Sequence, residues 1–303
     1  MSAEKKNVPA SVQARIKNLA RDSHRPYDEL LRYFTIERFL YRMSRSAHAD
    51  QFVLKGALVL YAWDLPGGRP TRDIDLRCFM NGGLASLLEA VRAICVQPVP
   101  DDGIAFDPHT VRGEEVQEQV KYPGAQVLFV AFLGRSRVPM RLDVNFSDVI
   151  VPGATTVAYP ALLDMPAPRL RVYPSEVIVA EKVQAAVVLA DINSRMKDFY
   201  DLWLLSRTQR FDGNSLAKAL AATFDRRATP LPRTPLVAFG EGWIDAKRDL
   251  WAAFARRLPA GHHAPDNLAD LLRVVAQFVE PPLQAAAAHE GLDKHWAAGG
   301  PWQ

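Results

Sequence analysis

Arg72-Asp73-Ile74-Asp75-Leu76 alternates acidic with apolar side chains, and this constrains the fold more than any other stretch. Successive side chains of a strand point to opposite faces. Read as a strand, the segment puts Asp73 and Asp75 on one face and Ile74 and Leu76 on the other. Two ionised carboxylates side by side repel each other. A hard divalent cation relieves that repulsion, and Mg²⁺ needs only one or two protein carboxylates beside water and substrate phosphates. Asp-x-Asp alone is a weak signal, since such pairs are common at solvated strand ends and turns. Its upstream context sharpens it. Lys55-Gly56-Ala57 precedes an apolar run from Leu58 to Trp63 and the turn-rich Leu65-Pro66-Gly67-Gly68-Arg69-Pro70-Thr71. This reads as a glycine turn, a short helix and a loop leading into the strand. A glycine turn lets backbone N–H groups come close to phosphates. A phosphate cradle beside an Asp pair is more specific than either part.

A third carboxylate has the same setting. Gln126–Leu133 and Val138–Phe146 read as two strands joined by a turn at Gly134-Arg135-Ser136-Arg137, a hairpin pattern. On the second strand Arg141, Asp143 and Asn145 alternate with Leu142, Val144 and Phe146, so Asp143 faces away from the apolar side. If the two acidic strands are neighbours, Asp73, Asp75 and Asp143 form the carboxylate set used for metal-assisted phosphoryl transfer.

The 303 residues allow one large or two medium domains, and 49% hydrophobic content supplies a substantial core. A net charge of +3 is too small to imply a nucleic-acid partner. Cys78 and Cys95 lack metal-ligand spacing and fit a reducing, cytoplasmic setting. No apolar run approaches membrane-spanning length, and the polar start has no leader-like apolar core, so the expectation is a soluble protein with no membrane role.

Residues 1–10 read as a loose tail. Two helices follow between Ser11 and about Ser46, broken at Ser23-His24-Arg25-Pro26, with Arg15, Arg21, Arg32, Arg38, Arg42 and Arg45 as a solvated face. Leu84–Cys95 reads as a helix, residues 98–102 as a loop, and Ile104–Phe106 and Val111–Val116 as strands. Glu114, Glu115, Glu118 and Lys121 read as exposed strand and turn charges. Proline-rich 151–171 reads as a connector. A helix from Val177 to about Ala190, with Ser175 as N-cap, is apolar almost all round, so its Lys182 needs a buried partner, either a phosphate or a carboxylate. Within Asn193-Ser194-Arg195-Met196-Lys197-Asp198-Phe199-Tyr200-Asp201-Leu202, Asp198 and Asp201 share a helix face, and capping is the ordinary role for Asp198. Helices are expected at Leu216–Arg226, Trp243–Arg257 and Asn267–Val279, the last two separated by Pro259-Ala260-Gly261, with a frayed end from Gly291 and Arg226, Arg227, Arg256 and Arg257 on solvated faces. The fold class is α/β, a mixed-sheet core in 1–172 with N-terminal helices, and a helical domain in 173–303.

Lys55-Gly56-Ala57 with Arg72-Asp73-Ile74-Asp75-Leu76 resembles the first motif of the AbiEii/AbiGii-type nucleotidyltransferase toxins. Glu181-Lys182 together with the 193–202 segment is similar to that family's second signature, and the likeness runs from the helix around Ile36 to about Pro282. The resemblance implies a polymerase-β-like nucleotidyltransferase core and the toxin half of a toxin–antitoxin or phage-abortive-infection pair. It implies Mg²⁺, a nucleoside triphosphate and, as acceptor, tRNA or another RNA. By matched position Asp73 and Asp75 would hold Mg²⁺, Lys182 would bind triphosphate and Asp198 would complete the catalytic set. Lys55, Gly56, Ala57, Arg72 and Arg195 would contact the nucleotide, and Asp143 fits the superfamily's third carboxylate. Ala57 departs from the family, which usually has glycine or serine there; this bears on the triphosphate contact and leaves the metal site untouched. A glycosyltransferase, which also sets Asp-x-Asp on a metal, and a non-catalytic nucleotide or RNA binder are the alternatives. The glycine turn and the helical second half argue against the first, and the retained Asp73, Asp75, Lys182 and Asp198 against the second.

Overall fold

A computed structural model describes residues 7–65, 68–117, 123–232, 235–259 and 261–303. The expected tail at 1–6, Pro66 and Gly67 of the turn, Glu118, Lys121 and Ala260 lie outside the described residues. The chain forms two compact units. The first comprises Met1–Asp64, Thr71–Ser147 and Thr156–Val172, and the second Leu65–Pro70, Asp148–Thr155 and Tyr173–Gln303.

The first unit starts with α1 (Val8–Ser23) and α2 (Tyr27–Arg45), then β1 (Phe52–Lys55), α3 (Ala57–Ala62), β2 (Ile74–Cys78) and α4 (Gly83–Cys95). It continues through β3 (Ile104–Gln117), β4 (Pro123–Leu133), β5 (Ser136–Asn145), β6 (Thr155–Ala158) and β7 (Arg169–Val172). The strands make one mixed sheet in the order β3-β4-β5-β2-β1-β7-β6. β3, β4 and β5 run antiparallel, β2 lies parallel to β5, and β1 runs antiparallel to β2 and parallel to β7. The two strands expected between 104 and 116 are one strand, with a register shift between Asp107 and Arg112.

Three expectations are corrected here. α1 begins inside the presumed tail at Val8, because the Asn7 side chain caps it by accepting from the Ala10 N–H at 3.2 Å. The 151–171 connector contains β6 and ends in β7; its prolines mask two short edge-side strands. The arginine stripe of α2 is not a solvated face throughout, for Arg38 is 1% and Arg42 6% exposed. Arg38 pairs with Glu37 and donates to the Pro166 carbonyl at 2.9 Å. Arg42 grips Asp102 with both terminal nitrogens, at 2.6 and 3.0 Å, and donates to the Ile104 carbonyl at 3.1 Å. Charges this deep are tolerated because they are paired and hydrogen-bonded. Around them Leu30, Phe34, Ile36, Phe39 and Leu40 are fully buried, with the Phe39 ring against Phe106 and Phe129.

The second unit holds α5 (Ser175–Leu189), α6 (Met196–Thr208), β8 (Phe211–Asp212), α7 (Gly213–Arg226), α8 (Glu241–Ala255), α9 (Leu268–Ala288) and β9 (His295–Trp296). Ser175 does not cap α5; Pro174 takes the cap position without a side-chain hydrogen bond. Arg227 is also no surface charge, since it bonds Asp148 at 3.0 Å, Glu181 at 2.9 Å and Gln184 at 2.9 Å. α9 runs past its expected end and through Pro281 and Pro282. A proline has no N–H for the carbonyl four residues back, so Pro282 orphans the Phe278 carbonyl. The Trp302 indole N–H fills that gap at 3.0 Å. The C-terminus is therefore not frayed: β9 pairs with β8, and Trp296 is buried and donates to the Ser206 carbonyl at 2.7 Å. No helix among the described residues is long and apolar enough to cross a membrane.

Truncating one partner of a buried bidentate pair strands the other. Asp102→Ala is expected to lower unfolding free energy by about 3–5 kcal/mol in urea denaturation. A loss below about 1 kcal/mol would show that Arg42 finds water instead.

Candidate active site

Register places the acidic residues of the first unit. β2 pairs with β5 so that Asp75 stands beside Asp143 and Ile74 beside Leu142. On the next strand out Lys55 is the register partner of Asp75, and on the opposite side Gln126 is the partner of Asp143. Register partners point to the same face. Gln126, Asp143, Asp75 and Lys55 thus make one polar row across four adjacent strands, β4, β5, β2 and β1. Ile74, Leu76, Leu142 and Val144 are buried and anchor the other face. The expected adjacency of the two acidic strands is found.

Asp73 lies one residue ahead of β2 and comes within 3.9 Å of the Arg141 guanidinium. Arg141 Nε bonds Asp143 Oδ1 at 3.0 Å. With its amide oxygen turned toward Arg141, Gln126 accepts from the same guanidinium at 2.9 Å. The Asp143 hydrogen bond, with the charges of Asp143, Asp73 and Asp75 behind it, holds Arg141 above its ordinary pKa against a cost from partial burial. Arg141 was legible as a strand residue, but only its position two before Asp143 on the same face marked it as a member of this cluster.

Gly56 closes the row. Its φ of +71° belongs to the region that favours glycine, and an added Cβ would collide with the Asp75 carboxylate, lying 2.9 Å from its Cγ. Ala57 opens α3 and is buried, so its methyl packs inward. Arg72 is exposed.

The donor set is all oxygen, which fits a hard cation such as Mg²⁺. Among the described residues no three His, Cys, Asp or Glu side chains converge to cage a metal unaided.

The second unit assembles a different cluster. Lys182 Nζ bonds Asp198 Oδ1 at 2.9 Å and Asp201 Oδ2 at 2.7 Å. Asp201 also accepts from Nε and Nη2 of Arg69, each at 3.0 Å, and Arg195 Nε is 2.6 Å from Asp198 Oδ2. The partner that Lys182 requires is therefore a pair of carboxylates. Asp198 does not cap α6; its carboxylate serves this knot. Burial alone would push the Asp198 pKa up, but Lys182, then Arg195, bring it down to about 2. Burial likewise works against the Lys182 charge, and Asp198 and Asp201 outweigh it, so its pKa is raised. Arg69 and Asp201 were missed as site residues. Their 132-residue separation leaves no spacing signal, though Asp201 shares a helix face with Asp198. Beside the knot, Arg69, Arg195, Lys197 and Arg257 line a cavity of about 440 Å³ together with Leu250 and Phe254.

The family model described as Nucleotidyl transferase AbiEii toxin, Type IV TA system, matches residues 38–287. No curated protein matches. Among solved structures, JHP933 from Helicobacter pylori is 14% identical with a TM-score of 0.45, over 83% of this chain and 91% of that one. A protein from H. pylori assigned as a nucleotidyltransferase is also 14% identical, with a TM-score of 0.41 over the same shares of 83% and 91%.

Two outcomes test this geometry. Gly56→Ala must both strain the backbone and displace the Asp75 carboxylate, so it is expected to cost about 1–3 kcal/mol in thermal or urea unfolding; a neutral result would contradict the close approach. Asp198 has a folded pKa below its ordinary 3.8, so its stabilisation is complete above that value and is lost as pH falls toward about 2. Urea titrations across this range are expected to show a steeper loss for the wild type than for Asp198→Asn, and parallel curves would contradict the pairing.

Proposed function

The chain belongs to the nucleotidyl transferase AbiEii toxin family of type IV toxin–antitoxin systems, and from that premise we propose that the polar row of the first unit is the metal centre of the transfer reaction. It is a nucleotidyltransferase with a nucleotide substrate and a cognate antitoxin as partner. The observation that carries the proposal is the in-register pairing of Asp75 with Asp143, with Gly56 pressed against the Asp75 carboxylate.

Asp73 and Asp75 would hold Mg²⁺, and Asp143 would be its third ligand or the group that orients and deprotonates the acceptor hydroxyl. When bound, Mg²⁺ supplies charge neutralisation between these carboxylates and the phosphate oxygens of a nucleoside triphosphate. Lys55 and Arg72 add positive charge for the triphosphate, and Gly56 gives its backbone room to approach. Ala57 offers no hydroxyl, so its contact is made through the main chain. An ammonium has three N–H donors. Asp198 and Asp201 accept from two of those of Lys182, and the family resemblance makes this ammonium a triphosphate ligand. Asp198 completes the catalytic set by fixing that ammonium. The cationic lining of the second unit's cavity supports Arg195 as a ligand for an anionic group.

The acceptor in this reading is an RNA hydroxyl, with tRNA the acceptor that the family resemblance favours. Residues 1–172 are the catalytic core and 173–303 the helical domain, and the protein acts in the cytoplasm, in phage defence or growth control. Family membership decides against the nucleotide-sugar alternative.

Positioning and electrostatics carry most of such a reaction. Purified protein is to be incubated with each labelled nucleoside triphosphate and total RNA. The wild type is expected to label one RNA class. Asp75→Ala is expected to lower the rate at least about a hundredfold while its unfolding curve stays cooperative. Incorporation at the wild-type rate by Asp75→Ala would refute the assignment.

A further inference from the structure

We propose that Arg141 is the resident counter-ion of the acidic row and sets the order of loading, so that the divalent cation is held tightly only together with the triphosphate and not before it. The inference rests on the metal-centre reading and adds a positioning residue to it.

Arg141 belongs to the same strand face as Asp143 and lies alongside Asp73, 3.0 Å from the one carboxylate and 3.9 Å from the other. Its guanidinium is clamped from two sides, by Asp143 on its own strand and by Gln126 on β4. Moving it away breaks both contacts. An arginine cannot shed its charge by deprotonation at any ordinary pH, so its positive charge stays beside the carboxylates.

Charge decides the consequence. Three carboxylates, Asp73, Asp75 and Asp143, and two cations, Arg141 and Lys55, sum to one negative unit before the exposed Arg72 is counted. A bare divalent ion entering this row would leave it at least one unit positive, next to a guanidinium that already occupies one oxygen of Asp143. A triphosphate arriving with the ion reverses that sign. It also offers oxygens to Arg141 in exchange for Asp143, because a guanidinium binds phosphate as readily as carboxylate. Cation and nucleotide therefore enter together, and Asp143 becomes free to serve the metal or the acceptor hydroxyl as Arg141 turns to phosphate.

Mn²⁺ binding read by electron paramagnetic resonance tests this without any turnover. The full chain is titrated as wild type, Arg141→Gln and Arg141→Lys, each with and without Asp75→Asn, in the absence and presence of a non-hydrolysable triphosphate. Arg141 is 43% exposed, so its replacement is tolerated by the fold. Without nucleotide, Arg141→Gln is expected to bind Mn²⁺ about tenfold more tightly than the wild type, the size expected for removing one charge at a half-exposed site. Arg141→Lys is expected to match the wild type, and the triphosphate to narrow the difference. Equal Asp75-dependent affinity for wild type and Arg141→Gln overturns the inference and leaves the metal centre standing. If Asp75→Asn removes no Mn²⁺ from any of these proteins, with or without nucleotide, the metal centre falls and the inference with it.

Discussion

The parallel pairing of β2 with β5 is the constraint on which the candidate site depends. It joins two strands 68 residues apart at the Asp75–Asp143 register pair, and one residue of slip would send either carboxylate to the apolar face. That slip is prevented from beneath. Ile74, Leu76, Leu142 and Val144 are all buried, and turning any of them out to water would cost about 1.5–3 kcal/mol each. The repulsion between the carboxylates is thus sustained by hydrophobic burial on the other side of the same strands.

Each unit solves the same electrostatic problem differently. In the first unit Asp73 and Asp143 are part-exposed and face the Arg141 guanidinium, with Lys55 the register partner of Asp75. In the second unit Lys182, Asp198, Asp201 and Arg69 are buried and closed on one another by hydrogen bonds of 2.7–3.0 Å. A closed knot fixes side-chain positions, whereas an open row can exchange partners. The difference supports a catalytic reading of the first and a positioning role for most of the second.

Much of this was legible in the sequence wherever a local period carried it. Alternation at 73–76 and 141–146 gave two strands and the face of each carboxylate, and the glycine before α3 marked the turn. The β6 and β7 strands were hidden by prolines at 152, 160, 166 and 168. Arg38, Arg42 and Arg227 read as surface charges because partners that bury them lie far along the chain, at Pro166, at Asp102, and at Asp148 and Glu181. The pairing of Arg69 with Asp201 was invisible for the same reason, although Asp201 shares a helix face with Asp198. The ordered C-terminus rests on one indole filling a carbonyl that Pro282 leaves open, and no periodicity announces such a contact.

The central claim is that the strand-paired carboxylates of the first unit hold the catalytic cation. The most direct measurement is an anomalous difference map from a crystal grown with Mn²⁺ and a non-hydrolysable nucleoside triphosphate. The account predicts a peak about 2.1 Å from carboxylate oxygens of Asp73 and Asp75, shared with the triphosphate. A bound triphosphate whose metal peak lies away from both residues would contradict it.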